Sequence, residues 1–110
     1  TNPIDVLKLI VSKKGIYVEN EKVIDLDDGT VAKNALDPSD FNFIPALFKI
    51  LDSEAKKTQD IAKVNDTIKF EGKILVQADK DLNYELVQKV MHTSAVAGYS
   101  DIKFAVLSND

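Results

Sequence analysis

The chain has 110 residues, close to the commonest domain size, with 45% hydrophobic and 29% charged residues. That is ordinary globular composition, large enough for one core and too small for two, so disorder and a fibrous architecture are excluded. A net charge of −4 with lysines interleaved among acids argues against nucleic acid as a partner, and the lack of cysteine excludes a disulfide framework or a thiolate metal site.

Taken in order, Val6 to Ser12 alternates as a half-buried strand, and Lys13-Lys14-Gly15 is expected as a hairpin turn in which glycine supplies positive φ. Ile16 to Glu19, an Asn20-Glu21 turn and Lys22 to Leu26 continue a meander. Asp27 to Asp40, with Asp27-Asp28-Gly29 and Asp37-Pro38-Ser39-Asp40, reads as a solvated loop, long for a compact domain. Phe43 to about Lys63 is expected as a helix, with Ile44, Leu47, Phe48, Leu51, Ala55 and Thr58 on one stripe, caps from Ser39 to Asn42, and Pro45 tolerated in the first turn. Asn65-Asp66 ends it. Thr67 to Phe70 is either a short edge strand or an extended lead-in to Gly72.

The segment from Lys73 to Leu107 spells strand, turn, helix, turn, strand. Lys73 to Ala78 is a buried strand closed by Asp79-Lys80-Asp81, and Asp81 or Asn83 caps the helix that follows. Tyr84, Val87, Val90, Met91, Ser94 and Ala95 form its expected apolar stripe, and Gly98 stops it. Ile102 to Leu107 is the last strand, parallel to the first of this unit. The sum is an α+β fold of order β-β-β-α-β-α-β, two helices on one face of a small mixed sheet, in a single domain spanning 1–110.

Catalytic chemistry finds few convergent groups. His92 is the only histidine and falls off the apolar stripe, so an exposed surface role is expected. Turn formation and helix capping account for Asp79 and Asp81. Asp27-Asp28-Gly29 lacks the later acids of a calcium loop, the serines lack a glycine elbow, and no phosphate-cradling glycine loop exists. The expectation is a protein that is not an enzyme and needs no cofactor or metal. The strand Ile102-Lys103-Phe104-Ala105-Val106-Leu107 remains as an interaction site, because a sheet edge offers unpaired backbone groups to another strand.

The run from Ile74 to Leu107 resembles the C-terminal half of an ExbD/TolR extracytoplasmic domain. Asp79 after an apolar strand, Tyr84 opening the helix, Val87, Val90, Met91, then Gly98-Tyr99 and Ile102 stand where that family's pattern puts them. The resemblance implies the periplasmic domain of a single-pass inner-membrane protein of biopolymer transport, its membrane helix upstream of Thr1. It further implies a homodimer working with an ExbB/TolQ-like channel subunit and the proton-motive force, energising a TonB/TolA-like partner and contacting peptidoglycan. The alternative is a protein-interaction or adaptor domain with no motor role, and a small cell-wall hydrolase ranks third. The long Asp27 to Asp40 loop and the Asp60 to Glu71 segment depart from the family pattern and leave the subfamily open.

Overall fold

The computed structural model describes residues 6–107. Five strands, β1 (Leu7–Val11), β2 (Gly15–Val18), β3 (Glu21–Asp25), β4 (Lys73–Asp79) and β5 (Asp101–Leu107), make one mixed sheet in the order β3-β2-β1-β4-β5. Two helices, α1 (Pro45–Val64) and α2 (Tyr84–Val96), complete an α+β fold in the expected order of elements. β1 is antiparallel to β2 and parallel to β4, and β4 is parallel to β5.

The core lies on one face of this sheet. Along β4 burial alternates strictly, with Ile74, Val76 and Ala78 buried and their neighbours partly exposed. The register aligns those three with Leu7, Leu9 and Val11 on β1, and Ile16 and Val18 on β2 share their face. Leu47, Leu51 and Ala55 of α1 and Leu86 and Val90 of α2 close over them. The 20 Å shortest dimension fits one helix layer on one sheet, since such layers stack about 10 Å apart.

Local chemistry sets the boundaries. Pro45 is the first residue of α1, where its missing N–H has no helical acceptor to lose. The expected caps from Ser39 to Asn42 are not used. Asp37 accepts from the Ser39 amide and hydroxyl, Asp40 accepts from the Asn42 amide, and the N-cap is Ile44, without a side-chain bond of its own. Those Ser39 bonds hold the Asp37 carboxyl below its ordinary pKa. The Ile44 N–H instead donates to Thr93 Oγ1 across 3.1 Å, and the Thr93 hydroxyl donates to the Lys89 carbonyl at 2.8 Å. A fully buried threonine on α2 thus caps α1 from outside.

Two further expectations are corrected. Gly15 is not a positive-φ turn residue: it stands in β2, and a Cβ there would meet the Ile24 carbonyl at 2.9 Å, so glycine permits a close strand approach. The positive φ values fall one turn later, at Glu19 (48°) and Asn20 (71°), which form the two-residue loop between β2 and β3. The α2 stripe keeps Val90 and Ser94 of the expected one, but Leu86 and Thr93 are buried beside them whereas Tyr84, Met91 and Ala95 are exposed. The 27–40 segment is the expected, mostly exposed loop, with turns of its own. Asp27 bridges Thr30, Lys33–Ala35 forms one 3-10 turn, Asp37 bridges Asp40, and Val31 is buried in the core. Between Asn65 and Glu71 the chain is an extended lead-in, not a strand.

Gly98 ends α2 as expected. With Ala97 as C-cap, the Gly98 N–H donates to the Ala95 carbonyl and the Tyr99 N–H to the Ser94 carbonyl, the paired bonds of a Schellman stop, at a Gly98 φ of 104°. Gly72, at φ 66°, lies directly against it, where a Cβ would come within 2.5 Å of the Gly98 carbonyl oxygen. Both neighbours are backbone and cannot swing aside. Gly72→Ala should therefore cost about 2–3 kcal/mol, read as a lowered urea midpoint at unchanged slope. Thr93→Val should cost about 1–3 kcal/mol by leaving the Ile44 N–H unpaired, and Thr93→Ser should recover most of it in the same assay.

Candidate functional site

β5 is the open edge of the sheet, as its position beside β4 alone requires. Its register to β4 puts Ile102, Phe104 and Val106 on the face that carries Ile74, Val76 and Ala78, but only Ile102 packs against the core. Phe104 is 46% exposed and Val106 is 59% exposed. Lys103, Ala105 and Leu107 point to the face that no helix covers.

Backbone direction alternates in step with the side chains. Asp101 donates its N–H to the Gly72 carbonyl and Leu107 accepts from the Lys80 N–H, so the odd-numbered residues of β5 face β4. The N–H and C=O groups of Ile102, Phe104 and Val106 consequently point outward at the free edge. Those same residues direct their side chains toward α2.

There the exposed apolar side chains meet. Leu82, Tyr84, Val87 and Met91 join Phe104 and Val106 around a shallow groove of about 400 Å³, with Asp79 and Lys80 at its end. The residues expected as one motif thus separate by task. Asp79 turns the chain by accepting the Asp81 N–H, and Asn83, not Asp81, caps α2 by accepting the Glu85 N–H at 2.9 Å. Tyr84, Val87 and Met91 line the groove, Val90 is buried core, and Gly98 stops the helix. Sequence reading missed Leu82 and Leu86, both apolar and both in the turn-to-helix stretch, while Val90 and Ser94 of the expected stripe are buried.

Tyr99 belongs to the other end of the sheet. It is only 4% exposed, packs edge-on against Phe70 at a ring separation of 5.4 Å, and lines a pocket beside the starts of β1 and β4. Burial first, then the Glu54 and Glu19 carboxylates, push its phenol up to about 12 from the ordinary 10.0.

His92 is exposed and lies 3.1 Å from Asp40, tying the 27–40 segment to α2. Among the described residues no group of three or more His, Asp or Glu side chains is placed to hold a metal ion, and no helix is long and apolar enough to cross a membrane. Fold and edge together define an α+β domain with one open, apolar-flanked strand. No family model, curated protein or solved structure matches the chain.

The raised Tyr99 pKa has a stability consequence. Between pH 10 and about 12 the unfolded chain has released the phenolic proton while the folded chain keeps it, so stability falls as pH rises through that window. Chemical unfolding across it should show a loss of up to about 1.4 kcal/mol per pH unit that Tyr99→Phe abolishes.

Proposed function

We propose that this chain is a non-enzymatic coupling domain of the ExbD/TolR type, the extracytoplasmic part of an inner-membrane stator driven by the proton-motive force. In this reading it pairs with a second copy through β5, works beside an ExbB/TolQ-like channel subunit, and passes force to a TonB/TolA-like partner, with peptidoglycan as an anchor. The reading rests on the resemblance of the Ile74 to Leu107 run. The observation that carries it furthest is the β5 edge, where outward backbone groups and an apolar groove of about 400 Å³ belong to one surface. An unprotected edge beside exposed Phe104 and Val106 suits strand addition far better than chemistry on a small substrate.

Phe104→Pro is the discriminating variant. Its N–H points away from β4, so proline removes an edge donor and leaves the internal ladder whole. Sedimentation across a concentration series should show a dimer for the native chain and a monomer for the variant, with the same far-ultraviolet dichroism. A chain that stays monomeric at every concentration, and binds neither cell-wall sacculi nor a TonB-like peptide, overturns the proposal.

A further inference from the structure

Another concave feature of the molecule lies at the opposite end of the sheet from the groove and does not depend on the coupling reading. It is a pocket of about 270 Å³ between the C-terminal half of α1, the loop joining β2 to β3, and the segment leading into β4. That is slightly below the range of drug-sized sites and right for a ligand of amino-acid size.

Its floor is Tyr99. The residue is more than nine-tenths buried, yet its hydroxyl makes no hydrogen bond to another described residue, and no fully buried side-chain atom of the described residues lacks a partner. The hydroxyl therefore opens into the pocket. Glu54 from α1 and Glu19 from the hairpin loop line the same pocket. Glu19 holds this place at φ 48°, at a loop position where asparagine or glycine is the usual choice. Its carboxylate has no ion-pair partner among the described residues, and Glu54 meets Lys57 only at 3.5 Å. Phenol oxygen and two acids make a seat for a hydrogen-bonding cation.

Lysines line the pocket as well. Lys73 pairs with Glu71 at 3.2 Å, while Lys69 has no ion-pair partner among the described residues. Phe70 and Ile61 supply its apolar surface.

We propose that this pocket binds a small zwitterion with a short apolar side chain, its primary ammonium between Glu19, Glu54 and the Tyr99 hydroxyl and its carboxylate toward Lys69. The ammonium donates three hydrogen bonds and the phenol oxygen accepts one of them, as the carboxylates accept the others. Selectivity follows from the need to satisfy both ends, because a ligand lacking either leaves the acids or the lysine without a counter-charge.

The test is a titration of the 15N-labelled chain with L-valine, followed by amide shifts, with isobutylamine and isovalerate carrying each charged half alone. L-valine should give saturable shifts clustered at Glu19, Gly72, Lys73 and Tyr99 with millimolar affinity, and each half-ligand should bind at least about tenfold more weakly. The Glu19→Gln, Glu54→Gln double variant should keep the native spectrum elsewhere and lose affinity by about tenfold or more. Absence of saturable shifts at these residues, isovalerate binding as well as L-valine, or a folded double variant with undiminished affinity each overturns the proposal. The oligomeric state plays no part in this result, so it stands or falls separately from the β5 edge.

Discussion

The width of the sheet against the width of its helical cover decides most of what this molecule exposes. Five strands at about 4.8 Å spacing span roughly 24 Å, whereas two helices side by side cover about 20 Å. One strand is left over. β5 is that strand: its register gives Phe104 and Val106 the same face as the buried Val76 and Ala78, but α2 flanks them without covering them. The other edge is treated differently. β3 is short, carries Glu21 and Lys22, breaks register between Ile16 and Tyr17 of its neighbour, and has α1 packed toward it. A bulge, charge and cover are the usual protections of an edge, and β3 has all three where β5 has only the charges of Asp101 and Lys103.

Two backbone-level contacts hold the helices where they leave β5 uncovered. Thr93 supplies from α2 the acceptor that the first turn of α1 lacks, so the helices cannot slide past each other without stranding a buried N–H. Gly72 against Gly98 fixes the start of β4 on the end of α2, and the Asp101 N–H closes onto the same Gly72 carbonyl. Helix stop, strand start and edge strand meet at one point. The position of β5, and so the shape of its groove, follows from a crossing that only glycine allows.

The strand and helix order was legible because each element has a recognisable period and a residue that ends it, as Asn65 shows for α1 and Gly98 for α2. The edge itself was legible for the same reason, since the last strand has one neighbour unless a later one returns beside it. What periodicity could not resolve was the phase of α2. That helix carries two apolar surfaces, Leu86 and Val90 toward the core and Tyr84, Val87 and Met91 toward β5, and a stripe read at 3.6 residues merges them. The turns inside the 27–40 loop stayed hidden for a different reason. Its order comes from Asp37 and Asp40 turning the chain with their own side chains and from Val31 inserted alone, signals too sparse to form a pattern. The Tyr99 pocket was invisible because Glu19, Glu54 and Tyr99 are far apart in sequence and come together only through the fold.

The coincidence of backbone and side-chain direction on β5 constrains any strand that adds to it. Each outward N–H or C=O belongs to a residue whose side chain faces the groove, so an incoming strand that takes those bonds sets alternate side chains beside Phe104 and Val106. It must be apolar at every second position on that side and tolerate Lys103 and solvent on the other. Covering Phe104 and Val106 contributes at most about 1.5–3 kcal/mol each. Ordering a flexible segment costs about 1–2 kcal/mol per residue, so a strand already held in a folded sheet gains more net affinity from the same edge than a free peptide does. A second copy of β5, whose own alternate residues are Ile102, Phe104 and Val106, meets both requirements at once, and a peptide competes with it only by bringing larger apolar side chains into the groove.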